Sequence, residues 1–213
     1  MRKLILIIVL FLNLVGFSQK IDYNNFDNKI ATKTLMESFL RFRDTINSFG
    51  SGIKWNIEYP ETDSFPNMNK PRWSEWLYKT ISLPNCTELS NDYNLEPYHV
   101  NRDKWFKDNI KLIRKEYYKD FKKIPLDLIE NSRLSYSENA VSLDYKVETY
   151  EQLAKIMIDN WEKSIYHRSA QRGLFYDHWA YAEYGLKIQD LFSCCVMYNP
   201  NTGFTKAVIN FIE

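Results

Sequence analysis

The chain closes on two strand-like runs, FSCCVMY and FTKAVINFI, joined by Asn199-Pro200-Asn201-Thr202-Gly203. β-Branched and aromatic residues on either side of a Pro-Asn-Gly turn predict an antiparallel hairpin. Such a sheet needs cover, and the chain upstream supplies helices for it. From Thr34, Leu35, Phe39, Phe42, Ile46 and Phe49 recur at four- and three-residue steps. A Thr34–Glu37 capping box opens this helix and Gly50-Ser51-Gly52 ends it. A second stripe, Phe106, Ile110, Ile113 and Tyr117, lies in a basic stretch with nine Lys or Arg against four Asp or Glu over residues 101–123. Its charged side reads as a solvated helix face, with an anion or lipid surface as the alternative. A third helix opens at Thr149 with Gln152 in the capping-box position. It buries Leu153, Ile156, Met157 and Trp161, pairs Glu151 with Lys155 outside, and stops near Lys163.

Between these lie weaker signals. Ile53, Trp55, Ile57 and Tyr59 alternate with polar residues as a short strand would, and WAYAEYGLKIQ is also strand-like. Residues 60–97 hold five of the seven prolines and one helical patch, RWSEWLYKTIS. Helices come first and paired strands last, so the fold class is α+β, with helices covering an antiparallel sheet.

Met1-Arg2-Lys3, an apolar run from Leu4 to Phe17 and then Ser18-Gln19 read as a signal peptide over residues 1–18, too short for a membrane span. The expected product is secreted or periplasmic, with no transmembrane segment in the mature chain. It forms one domain over residues 19–213, a length suited to a single core. The chain carries 28 Lys plus Arg and 27 Asp plus Glu, without the basic excess of a dedicated nucleic-acid binder. In an oxidising compartment, Cys86, Cys194 and Cys195 allow one disulfide and one free thiol. Cys86 can pair with either neighbour, or the neighbours with each other. The absence of a C-x-x-C pair argues against a cysteine zinc site.

YSENA at 136–140, a helix, and then W-E-K-S-I-Y-H-R at 161–168 before the closing strands resemble the bacterial branch of the CAP superfamily, the cysteine-rich secretory, antigen 5 and pathogenesis-related proteins. In that branch a G-E-N-I-like motif precedes a helix ending in W-x-x-S-P-G-H-R. Glu138 and Asn139 stand for the E-N pair, while Trp161, Ser164, His167 and Arg168 keep the W-x-x-S-x-x-H-R frame. RWSEWL is similar to the family's L-x-W-S-x-x-L. Residues 85–120 then read as a helical insertion. Ser137 replaces the family glycine, and Ile165-Tyr166 replaces Pro-Gly.

The resemblance implies an α-β-α sandwich with a central antiparallel sheet, and a cleft where histidines and glutamates converge, in some members around a divalent metal. It nominates Glu138, Asn139, Ser164, His167 and Arg168 for ligand binding, with His167 and Glu138 as metal donors. The family's first histidine has no counterpart between Asn101 and Glu138, so that either His99 or His178 supplies it or nothing does. Zinc is the natural cofactor for imidazole and carboxylate. The implied function is a cleft that binds a small ligand, lipid, peptide or glycan without established catalysis. One alternative is a metal-assisted hydrolase. A second is a cell-envelope module recognising peptide or glycan through a surface rich in aromatics, since the chain has 15 tyrosines and six tryptophans. A plainer reading makes His167 a turn histidine at a helix end. A nucleophile at Cys194 or Cys195 would need a thiolate beside His167 or His178. A serine hydrolase would need an elbow that the sequence does not contain.

Overall fold

The closing hairpin forms in the computed structural model of the chain. β3 (Leu191–Asn199) and β4 (Phe204–Ile212) run antiparallel, with Leu191 opposite Ile212 and Asn199 opposite Phe204. Gly203 adopts φ 76°, a conformation costly for any residue with a Cβ, and its N–H donates to Asn199 O at 2.8 Å. The Asn199 side chain holds the loop from inside by accepting from Asn201 N–H at 2.9 Å. The structure describes residues 18–48, 71–91, 95–119, 134, 136–172 and 191–212. The signal-peptide run through Phe17, the strand-like stretches 53–59 and 179–189, and His178 lie outside the described residues. None of the described helices is long and apolar enough to cross a membrane.

β2 (Tyr136–Leu143) lies antiparallel along the other edge of β4, with Tyr136 opposite Ile212 and Leu143 opposite Thr205. The two-residue β1 (Arg72–Trp73) pairs in parallel with β3, giving the order β1-β3-β4-β2. The class is α+β, but the sheet is mixed, which corrects the expectation of a wholly antiparallel one. A parallel pair needs a long crossover between its strands, and the chain between β1 and β3 contains several helices that provide it.

Side chains alternate across a strand, and here both faces are covered. On one face, Leu143, Phe192, Ile209 and Phe211 pack against α1 (Asn28–Ser48) and α5 (Tyr150–Lys163). α1 begins six residues before Thr34. Asp27 Oδ1 accepts from Lys29 N–H at 2.9 Å and Ile30 N–H at 3.0 Å, so Asp27 is the cap and Thr34 is interior. Ala31, Leu35 and Phe39, at four-residue steps, are then the buried stripe. Fully burying Leu35 and Phe39 contributes about 1.5–3 kcal/mol each. α5 starts where the sequence places it, with Thr149 Oγ1 accepting from Gln152 N–H at 3.2 Å. Lys155, however, pairs with Asp159 at 2.5 Å, while Glu151 accepts from Ser18 Oγ at 2.7 Å.

The opposite face is covered by a continuous helical run and a long helix. Ser74 Oγ caps α2 (Glu75–Leu77) by accepting from Leu77 N–H at 3.1 Å. A π-helical turn, Tyr78–Ser82, leads into α3 (Leu83–Asn91). There Leu83 N–H reaches back five residues to Tyr78 O. Pro84 accounts for the widened turn, because it has no N–H for Thr80 O and its ring would crowd that carbonyl in a regular helix. α4 (Leu95–Tyr118) takes in Pro97 within its first turn, where a missing N–H costs nothing. Leu77, Ile81, Ile113 and Tyr117 close over Leu191 and Ile212, while Cys86 and Leu89 close over Cys195 and Val208. Residues 85–120, expected as an insertion, thus supply much of this second core.

All three cysteines are buried thiols. β3 sends Cys194 toward Thr32 O on α1, 3.7 Å away, and Cys195 toward Cys86 on α3. Strand alternation therefore removes two of the three pairings that the sequence leaves open, Cys194–Cys195 and Cys86–Cys194. It also counts against a nucleophile at Cys194, since burial pushes the thiols of Cys86 and Cys194 well above their ordinary range.

Candidate functional site

Glu138 and Asn139 are neighbours on β2 and so face opposite ways. Glu138 points toward α3 and α4, with only 2% of its side chain exposed. Its Oε2 accepts three hydrogen bonds: from Asn85 Nδ2 at 3.0 Å, Tyr136 Oη at 3.0 Å and Asn210 Nδ2 at 2.5 Å. Asn210 sits directly across the β2–β4 ladder, and its amide also donates to Tyr136 Oη at 2.6 Å. The network continues inward. Ser82, at the end of the π turn, donates to Asn210 Oδ1 at 2.5 Å and shares a 2.7 Å hydrogen bond with Ser193. The carboxylate is thus satisfied as burial demands.

Oε1 looks the other way, toward Arg102 Nη1 at 3.9 Å. Arg102 comes from α4 and is partly open to solvent, with 22% of its side chain exposed. Its guanidinium lies 5.8 Å from the centroid of the Tyr136 ring, and its Nε and Nη2 both reach Asp103 Oδ1 at 3.3 Å. The guanidinium therefore joins a buried acid to an exposed one. Half-buried aromatics stand beside it. Trp76 and Trp105 have ring centroids 5.8 Å apart, and Trp105 and Phe106 lie 6.0 and 5.8 Å from Tyr136.

Asn139 belongs to the other face. Its Nδ2 donates to the backbone carbonyl of His167 at 2.8 Å, so the two halves of the motif do meet, through Asn139 rather than Glu138. The helix carrying His167, α6 (Ile165–Arg172), is held at several further points. Ser164 terminates α5, with its N–H on Trp161 O at 3.2 Å, and its own carbonyl accepts from Arg168 N–H at 2.8 Å. Arg168 Nε donates to Glu162 O at 2.9 Å, Gln171 Nε2 to Glu162 Oε1 at 2.6 Å, and the buried Arg43 of α1 to Gln171 O at 3.0 Å. Ser164 and Arg168 make the contacts of a helix junction. His167 itself is half-buried, and that burial lowers its pKa, favouring the neutral imidazole.

The Glu138 carboxylate, expected with His167 as a metal donor, lies on the α3 and α4 face of the sheet, whereas the backbone of α6 at His167 is tied to the other face through Asn139. The described groups that contact the Glu138 carboxylate are donors. Amide N–H, phenol O–H and guanidinium donate toward the carboxylate and offer no lone pair to a cation sharing it. Among the described residues, no three His, Cys, Asp or Glu side chains gather in a way that could hold a metal ion. His99 falls in the first turns of α4, one turn before Arg102, and its side chain lies outside the described residues.

The sequence does not single out Asn85, Arg102 or Asn210 as part of this site. Asn210 carries a visible signal, an amide inside the otherwise apolar VINFI run. Arg102 carries none, being one cation among nine. No family model, curated protein or solved structure matches the chain.

Proposed function

We propose that the chain is an exported CAP/SCP-like domain that binds a carboxylate-bearing peptide or glycan without carrying out chemistry on it. The observation that carries the binding role is the Arg102 guanidinium, anchored from below by Glu138 while its Nε and Nη2 meet the exposed Asp103. A ligand carboxylate in the place of Asp103 would take that fork in the geometry guanidinium favours. Trp76, Trp105 and Tyr136 offer aromatic surface beside it, of the kind that peptide- and sugar-binding proteins use.

Three features support the family reading. The element order is the one the motifs require. Helices lie on both faces of the sheet, as an α-β-α sandwich needs. Asn139 ties the E-N strand to the W-x-x-S-x-x-H-R segment. Export rests on the Leu4 to Phe17 run alone.

The test is calorimetry on the purified protein, with peptides bearing free or amidated C-termini and oligosaccharides with or without uronic acids. Binding should require the ligand carboxylate. Arg102→Ala should weaken it by about tenfold or more, the value of a charge-assisted hydrogen bond. Equal affinity for amidated peptides and neutral sugars, or an Arg102→Ala protein that binds as well as wild type, would refute the assignment.

A further inference from the structure

We propose that Cys86 and Cys195 form the protein's disulfide when it folds in the presence of a disulfide donor, fastening α3 to the central strand β3, and that Cys194 stays a thiol. Cys86 and Cys195 are fully buried in one small cluster with Leu89 and Val208. Cys86 Sγ lies 3.8 Å from Lys206 O, on the strand adjacent to β3, while Cys195 stands opposite Val208 two residues further along that strand. The helix and the sheet thus place the two cysteines side by side in one buried cluster. Burial, with the neighbouring Cys195 thiol adding to it, holds Cys86 in its protonated form. Cys194, on the other face, has Thr32 O as its neighbour.

The chemistry balances through two exchanges. The thiolate of one cysteine attacks the donor disulfide, forming a mixed disulfide and releasing one donor thiol. The second cysteine, losing its proton, then attacks the mixed disulfide, joins Sγ to Sγ and releases the second donor thiol. Two protein thiols are oxidised and one donor disulfide, such as oxidised glutathione, is reduced. Because both sulfurs are sealed in the native fold and burial disfavours thiolate, the exchange belongs to folding, before α3 closes on the sheet. The bond has a consequence for the polar site. Asn85, the neighbour of Cys86, donates to Glu138, so a cross-link at position 86 fixes the helix turn that orients this amide.

That a donor is met in the cell rests on the export reading, whereas the bond itself is tested in a defined buffer, so either can fail without the other. The full chain is refolded from reducing denaturant into reduced or oxidised glutathione, and free thiols are counted after denaturation with a maleimide label and peptide mapping. Three labelled cysteines are expected from the reduced buffer. One, Cys194, is expected from the oxidised buffer, with the peptides containing Cys86 and Cys195 linked. Cys194→Ala should form the same link and leave no free thiol. Wild type should melt higher oxidised than reduced, and Cys195→Ala should lose that difference. Three free thiols after oxidative refolding, a link through Cys194, or linkage only between chains would each overturn the proposal. Because Cys194→Ala keeps both proposed partners, the outcome does not depend on whether Cys86→Ala or Cys195→Ala folds.

Discussion

Removing the Glu138 carboxylate is the most informative single change, because an ordinary surface acid and a buried polar hub predict different results. In Glu138→Ala, the donors from Asn85, Tyr136 and Asn210 lose a common acceptor in a dry environment, and Arg102 loses its inner partner. Each orphaned donor costs about 1–3 kcal/mol. Tyr136 and Asn210 keep the bond between them, which lowers the sum. A net loss of about 3–5 kcal/mol follows, the range for breaking a buried ionic contact from one side. Glu138→Gln keeps an oxygen where the three donors converge but turns charge-assisted bonds into neutral ones. Its loss should be smaller, about 1–2 kcal/mol, since the cost of burying the charge disappears too. In urea, with a slope of about 2 kcal/mol/M, the midpoint should fall by about 2 M for Ala and by less than about 1 M for Gln, with the slope unchanged. A Glu138→Ala stability within about 0.5 kcal/mol of wild type would show the carboxylate to be solvated, as an exposed residue would be. The network drawn from its partners would then be wrong.

Two further outcomes concern the opposite face. Asn139→Ala removes the donor to His167 O and should lower stability by about 1–2 kcal/mol in a thermal melt, and proteolysis should then cut first near α6; an unchanged melt and cleavage pattern would mean that the clamp does not hold the helix. His167 gives a pH signature. Its pKa is lowered below 6.5 in the fold by burial, so the unfolded chain binds more protons in the window between that lowered value and 6.5. Stability is therefore at its full value above about pH 6.5 and falls as pH drops through the window. In urea, the stability of wild type relative to His167→Gln should fall as pH drops through the window, and a difference that stays constant with pH would refute the assignment.

How far the sequence could be read depended on whether the deciding interaction was local. The α5 cap at Thr149, the α5 end near Lys163 and the Gly203 turn all depend on residues within a few positions, and all are legible. The start of α1 is missed because Asp27 and Thr34 are both competent caps, and only the buried Ala31 decides between them. β1 is missed for a different reason. A two-residue strand has no periodicity, and its pairing with Leu191 and Phe192 is fixed by partners more than a hundred positions away. The Glu138 network has the same character, since its donors come from α3, β2 and β4, and only strand register brings Asn210 opposite Glu138.

Strand alternation also explains why one motif serves two purposes. Two adjacent strand residues whose polar side chains are both buried must each find partners in a different layer, as Glu138 and Asn139 do. Glu138 finds them in α3, α4 and β4, and Asn139 in the backbone of α6. A charge and an amide are suited to those different surroundings. The acid can anchor a guanidinium that extends toward solvent, whereas the neutral amide can satisfy a half-buried carbonyl without bringing in a charge that needs neutralising. Exchanging the two residues would place a carboxylate against the His167 carbonyl, acceptor against acceptor, and leave Arg102 without an inner partner. The order Glu-Asn is therefore set by packing in this chain, whether or not a ligand is ever bound.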